Sequence, residues 1–294
     1  MKRPLPPHLP HWRSLLYVPA NVPRFVERAH ERGADAIILD LEDSVPPAQK
    51  AEARAALAEA AGKVARNGAG VLVRINQPLA LAVPDIEAAI AAGVAGLMIT
   101  KAAGASHLHL IDEMVSELET KYGLAPGGTM LFPVIETLRG FQAMAAIFAA
   151  SARNVAALLG TEDFALDCGM EPDADTLAAP QQQLVIAARA AGLAPYGFIA
   201  SIADFSDTAR FREVVARSRR FGFAGAACIH PTQVRIVNEA YTPTPDEIER
   251  SERIVAADDA ARRAGRGSAS VDGRMIDAPV VERARRALHQ AKRA

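Results

Sequence analysis

Two carboxylates close successive apolar runs in this chain. Glu136 follows Met130-Leu-Phe-Pro-Val-Ile135, and Asp163 follows Val155-Ala-Ala-Leu-Leu-Gly-Thr-Glu162. About 27 positions separate them, close to one strand-plus-helix unit of a parallel barrel, so consecutive units would bring both to one rim. Two hard oxygen ligands facing a single opening, with room left for substrate and water, describe a Mg2+ site.

Other polar residues stand at the ends of similar runs. Asp40-Leu-Glu42-Asp43-Ser44 places three acids within four positions, Arg74-Ile-Asn76 and Lys101 supply cations, and His230-Pro231 ends the last run. Arg13 immediately precedes the first run and joins the candidate set. Acids interleaved with cations around one opening are costly unless they bind a charged ligand or a metal. A ring of salt bridges would account for the same residues, with Asp40 and Asp43 pairing to Arg13, Arg74 or Lys101. His230, ahead of a proline, reads as a turn residue. Cys168 and Cys228 read as small core residues, since no histidine or base signature accompanies either.

The elements that must position these groups are short apolar runs separated by helical patterns. They are Ser14–Val18, Ala36–Asp40, Val71–Ile75, Gly96–Thr100, Met130–Ile135, Val155–Leu159, a weaker one within Ala194–Ile202, and Gly225–Ile229. Runs buried on both faces and alternating with helices mean a parallel sheet, and eight of them predict a (β/α)8 TIM barrel. Pro46-Pro47 should open a helix over Ala48–Arg66, and Pro84-Asp85 the next, while Gly33 and Gly192 stand just past helix ends. After the barrel, Asp246 should cap a helix running to Ala264. Val271–Asp277 reads as a hairpin turning at Asp272-Gly273, and a last helix covers Val280–Ala291. The expected organisation is an arm over residues 1–12, a barrel over 13–240 and a small helical and hairpin extension over 241–294.

At 294 residues, half of them hydrophobic but only 5% aromatic, the chain can fill such a barrel with Ala, Leu, Val and Ile. A net charge of -1 offers nothing that would attract nucleic acid. No run approaches the roughly 18 apolar residues of a membrane span. The prolines of Met1–His11 argue for an arm and against a signal peptide. Two cysteines are too few for a disulfide framework, and the expectation is a cytoplasmic protein.

Arg13-Ser-Leu-Leu-Tyr-Val-Pro19, Ile38-Leu-Asp-Leu-Glu-Asp-Ser-Val45, Val73-Arg-Ile-Asn76, Pro133-Val-Ile-Glu-Thr137, Gly160-Thr-Glu-Asp163 and Cys228-Ile-His-Pro-Thr-Gln233 together resemble the citrate lyase β-subunit-like family. That family lies within the HpcH/HpaI aldolase/citrate lyase superfamily, beside the malyl-CoA and citramalyl-CoA lyases. The resemblance runs from about Arg13 to the C-terminus, and six motifs in order make it specific. It implies that Glu136 and Asp163 hold Mg2+, that Arg74 contacts substrate oxygens, and that Glu42 and Asp43 shape the site. Arg13, Lys101 and Glu136 join Arg74 as candidate substrate contacts. Val271-Asp-Gly-Arg-Met-Ile-Asp-Ala-Pro279 resembles the C-terminal segment of the CoA lyases, which puts Asp277 on their catalytic acid/base, supplied across a subunit interface.

The implied activity is Mg2+-dependent cleavage or formation of a 3-hydroxyacyl-CoA, such as malyl-CoA or citramalyl-CoA, into acetyl-CoA and a 2-oxo acid. The implied assembly is a homotrimer or a dimer of trimers. Three departures stand out: Pro19-Ala-Asn21 where the family often has Pro-Gly, Ala-Ala-Gly after Lys101, and Asp167-Cys-Gly169. The first two bear on the acyl carrier. Competing readings are a malyl-CoA thioesterase or malate-synthase-like activity at the same site, a non-catalytic subunit of a larger complex, and a CoA-independent class II aldolase. The last of these expects a histidine near the end of the second strand, where Leu39–Val45 has none.

Overall fold

The computed structural model describes residues 9–201, 207–265 and 267–292. Most of the N-terminal arm and Ile202, the last residue of the seventh expected run, lie outside these. Eight parallel strands follow one another around a sheet: β1 (Ser14–Pro19), β2 (Ala36–Asp40), β3 (Gly70–Ile75), β4 (Gly96–Ile99), β5 (Met130–Ile135), β6 (Ala156–Leu159), β7 (Ala194–Tyr196) and β8 (Ala226–Cys228). Each pairs with its sequence neighbour, and β8 returns to pair with β1. Between β7 and β8 the barrel is closed by a single bridge, Tyr196 to Gly225, with Gly197 N–H donating to Gly225 O at 3.1 Å. The fold is a nearly closed (β/α)8 barrel, as the eight runs predict.

Alternation along each strand sorts side chains to two sides. Leu15, Ile38, Leu72, Met98, Phe132 and Ala156 fill the barrel, and Trp12 stacks on Phe132 with ring centroids 6.3 Å apart. Ile37, Leu39, Val73 and Leu97 are equally buried on the other side of the sheet. This two-sided burial is why the strands appear in the sequence as unbroken apolar runs.

The helix expected over Ala48–Arg66 is instead a 3-10 turn at Pro47–Gln49 and two helices, Lys50–Ala55 and Leu57–Val64, and three other helix starts also differ from the sequence expectation. The helix expected to open at Pro84 begins at Leu79, and Pro84 lies inside it. The Leu79–Val83 run is itself helix-forming, and the proline removes one hydrogen bond without ending the helix. In the C-terminal unit the cap is Thr244, not Asp246. Its hydroxyl accepts from Glu247 N at 3.2 Å while Glu247 accepts from Thr244 N at 3.0 Å, and Pro245 takes the first helical position. The last helix starts at Ala278 because Asp277 caps it.

Contacts within the chain separate Met1–Asn238 from Glu239–Ala294. The second unit consists of the helix Pro245–Arg263, the hairpin β9 (Ala269–Val271) and β10 (Arg274–Ile276), and the helix Ala278–Ala291. Asp272 and Gly273 both have positive φ, 51° and 72°, as a two-residue hairpin turn requires. Ala261, Ile276, Val281 and Ala284 are among its buried apolar residues, with Tyr241.

Candidate active site

A cavity of about 350 Å³ opens at the C-terminal ends of the barrel strands, the end at which barrel enzymes carry their chemistry. Asp40 closes β2 and is buried; it accepts from Arg74 Nε at 2.7 Å and Nη2 at 2.6 Å. The same carboxylate accepts Glu42 N–H at 2.8 Å and the Ser44 hydroxyl, which shapes the loop after the strand. Lys50 holds that loop from below through Leu41 O and Glu42 O, at 2.9 and 3.0 Å. Arg74 Nη1 also reaches Glu42 at 2.8 Å and Asp43 at 3.3 Å, and the guanidinium lies 4.9 Å from the centre of the Tyr17 ring. One arginine is thereby fixed by three carboxylates and an aromatic face.

Lys101 links this cluster to the metal-type carboxylates. Its ammonium is 2.9 Å from Glu42 Oε1 and 2.9 Å from Asp163 Oδ2, and its backbone N–H donates to Glu136 Oε2 at 2.6 Å. Its φ of 47° is left-handed, unusual for a lysine, and turns the chain so that amide and ammonium serve the same site. Glu136 follows β5 and is buried. Its side chain runs past Gly160, where a Cβ would come within 2.5 Å of the carboxylate, so only glycine fits there. Asp163 lies in the first turn of the helix Thr161–Cys168, four residues beyond β6, and is partly exposed.

Burial pushes the Glu136 carboxyl up to about 7, with Lys101 only partly offsetting it. Burial raises Glu42 as well, against the pull of Arg74. Desolvation works against the charge on Lys101, yet its bonds to Asp163 and Glu42 lift its pKa above the ordinary lysine value. Asp40 shows the reverse balance: burial would raise it, but Arg74 holds it below the usual carboxylate range. The site therefore contains a buried carboxylate short of positive charge.

A hard divalent cation fits that donor set. Glu136 and Asp163 supply two carboxylates beside an open cavity, the number with which Mg2+ is commonly held while keeping waters. Among the described residues there is no group of three or more His, Cys, Asp and Glu that could hold a metal.

Of the residues singled out in the sequence, Glu42, Asp43, Arg74, Lys101, Glu136 and Asp163 meet at this rim. Arg13 does not. It precedes β1, at the opposite mouth, where its Nε and Nη2 donate to Asp35 just ahead of β2 at 2.9 and 2.8 Å. In a parallel barrel, residues before strands belong to the face away from the site. Asp277 belongs to the second unit, is exposed, and accepts Val280 N–H at 3.3 Å as the cap of the last helix. His230 bonds Thr232 at 2.8 Å in the turn after β8. Cys228 is fully buried, which pushes its thiol up, while Cys168 is only half-buried on its helix. Tyr17, Ser44 and Gln181 also line the cavity. Tyr17 was open to discovery from its two-residue spacing to inward-facing Leu15; Gln181 gives no sign of burial within its helix sequence.

Comparison with known proteins gives a consistent family. Residues 13–231 match the HpcH/HpaI aldolase/citrate lyase family. The citrate lyase subunit beta of Leuconostoc mesenteroides subsp. cremoris is 33% identical over 285 residues, 95% of this chain and 93% of that protein. A (3S)-malyl-CoA thioesterase of Cereibacter sphaeroides is also 33% identical, over 96% of this chain and 95% of its own. A crystal structure of the CitE protein of Mycobacterium tuberculosis in complex with magnesium, acetoacetate and coenzyme A superposes with a TM-score of 0.77. Its sequence identity is 28%, over 96% of this chain and 98% of that one.

Proposed function

The chain belongs to the HpcH/HpaI aldolase/citrate lyase family, and from that premise we propose that it is a Mg2+-dependent carbon–carbon lyase acting on a 3-hydroxyacyl-CoA. Malyl-CoA or citramalyl-CoA would be cleaved to acetyl-CoA and a 2-oxo acid, or formed from them. The observation that carries this reading is the pairing of Glu136 and Asp163 across Lys101, next to an arginine immobilised by Asp40 and Glu42. A magnesium ion bound to CitE, with acetoacetate and coenzyme A, supports the cofactor and the substrate class.

The reaction needs three things. The 3-hydroxyl gives its proton to a base, the Cα–Cβ bond breaks as the new carbonyl forms, and the bond electrons pass to the thioester as an enolate, whose carbon then takes a proton, so that one proton is released and one taken up in each turnover. When bound on Glu136 and Asp163, the ion would supply Lewis acidity at the carboxylate and the adjacent hydroxyl of the substrate. Arg74, its plane set before substrate arrives, would stabilise oxyanion charge without reorganising. Glu42 and Asp43 keep Arg74 and Lys101 in place. The proton for the enolate carbon is assigned to Asp277, delivered from a neighbouring copy in a trimer or dimer of trimers.

The thioesterase relative favours a second reading, in which the same site hydrolyses malyl-CoA to malate and CoA. One experiment tests both: purified protein with malyl-CoA, citramalyl-CoA and citryl-CoA, with Mg2+ and with chelator. Metal-dependent release of acetyl-CoA and a 2-oxo acid is expected. Release of free CoA and malate alone would select the thioesterase, and no turnover of any thioester would sink both.

A further inference from the structure

One side chain of the cavity wall conflicts with the usual pairing of buried polar groups. Gln181, on the helix Ala178–Ala190, has no exposed surface, and neither its Oε1 nor its Nε2 has a hydrogen-bond partner. Leu184, Val185 and Ala188, the other buried residues of that helix, are apolar. Burial of an unpaired primary amide is unfavourable enough that native proteins rarely retain one without a water or ligand to satisfy it. Gln181 forms part of the cavity wall with Tyr196, Gly197 and Phe198. Gly197 packs beside the amide: a Cβ at that residue, whose φ is +154°, would meet the Phe223 ring at 3.1 Å and lie 3.5 and 3.6 Å from Oε1 and Nε2.

We propose that Gln181 is a specificity-determining residue that hydrogen-bonds a neutral polar group, a hydroxyl or a carboxamide, on the carbon chain of the 2-oxo acid fragment. The proposal rests on the lyase reading for the identity of that fragment. A glutamine amide offers one acceptor and two donors, and a hydroxyl or carboxamide satisfies both kinds at once. A carboxylate accepts only, so it would set its charge against Oε1. The arginine of the cavity, Arg74, is already engaged by Asp40, Glu42 and Asp43. An alkyl chain would suit Leu158, Tyr196 and Ala227 but leave the amide unpaired. The pantetheine arm of a thioester must lead out to solvent, whereas Gln181 is fully buried, so the matching group belongs to the untethered fragment.

The test is calorimetric titration, with Mg2+ present, of wild-type protein and of Gln181→Met, which keeps the side-chain volume. Paired 2-oxo acids of similar size serve as probes: 3-hydroxypyruvate against 2-oxobutanoate, 4-hydroxy-2-oxobutanoate against 2-oxopentanoate, and 2-oxosuccinamate against oxaloacetate. The wild type should prefer the neutral polar member of at least one pair by about tenfold or more, and the variant should lose or invert that preference. Without ligand, Gln181→Met should melt at the wild-type temperature or a few degrees above, on the order expected for removing an unsatisfied amide. Gln181→Leu provides the same comparison if the first variant does not fold. The proposal is overturned if the wild type shows no such preference, if the variants retain it, or if the ligand-free melting temperature falls with the preference unaltered, because a structural water then satisfies Gln181. Coupling to acetyl-CoA is assayed separately. Gln181-dependent selectivity without carbon–carbon turnover removes the lyase reading alone, and turnover without selectivity removes only this proposal.

Discussion

Arg74 owes its geometry to Asp40 more than to any other group, because Asp40 grips two of its nitrogens from one buried carboxylate. Asp40→Asn keeps the shape but replaces one charge-assisted acceptor with an amide donor. Arg74 would remain near Glu42 and Asp43 yet lose its fixed plane. If that plane aligns substrate oxygens, kcat/KM should fall by roughly 10²–10³. The affinity for Mg2+, measured by titration, should stay within a few-fold of wild type. An unaltered kcat/KM would remove Arg74 positioning from the mechanism. Asp277→Asn tests a different role. Asparagine caps a helix about as well as aspartate, so the helix Ala278–Ala291 should persist and the melting temperature should hardly move. Turnover should be abolished while Mg2+ still binds, because an amide cannot exchange the proton. Full retained activity is the outcome that refutes the assignment.

At the level of elements, a strand buried on both sides announces itself, which is why β2 and β5 begin and end where their apolar runs do. The six residues gathered at the rim were legible for the same reason: strand ends in a parallel barrel share one face. Arg13 does not join them, because it adjoins the start of β1 and so belongs to the opposite mouth. Pro84 misled because a proline's local preference yields to the packing of a helix already begun upstream. Gln181 was invisible, since its burial and lack of partners depend on β7 and on Gly197 rather than on its own helix.

The helix Ala105–Lys121 carries another feature hidden in sequence. Its Glu119 accepts two bonds from Arg153, both 2.7 Å, and the N–H groups of Gly127 and Thr129 at 2.7 and 2.8 Å. Burial alone would raise the Glu119 pKa, but Arg153 and these backbone donors bring it below the ordinary value. A depressed carboxylate contributes stability that is complete above its unfolded pKa, about 4.3, and is lost as pH falls through the folded value. Glu119→Gln should therefore cost about 3–5 kcal/mol at pH 7, since Arg153 is left buried with only Asp112 as a charged partner. The deficit relative to wild type should shrink below pH 4. Melting curves between pH 3 and 7 check this, and a deficit independent of pH would assign the loss to packing.

For the whole molecule, the decisive question is whether one chain holds every group the reaction needs. Glu136 and Asp163 belong to the barrel unit, while Asp277 is exposed in the second and serves there as a helix cap. The proposed mechanism has Asp277 acting on the barrel of a neighbouring copy, which makes a site depend on two chains. Two inactive proteins, Glu136→Gln and Asp277→Asn, distinguish this from a site made by one chain. Co-expressed with different tags and purified through both, they form mixed assemblies. Where the barrel comes from an Asp277→Asn chain and the acid from a Glu136→Gln chain, the site is intact. In a cyclic trimer selected through both tags, one site in three satisfies that condition, and activity should recover to about a third of wild type, or to about a quarter if the tags select a dimer of trimers. If both groups came from the same chain, every site would lack one of them whatever the mixture. Activity no higher than that of the separate variants would therefore return Asp277 to its own barrel or remove it from the reaction.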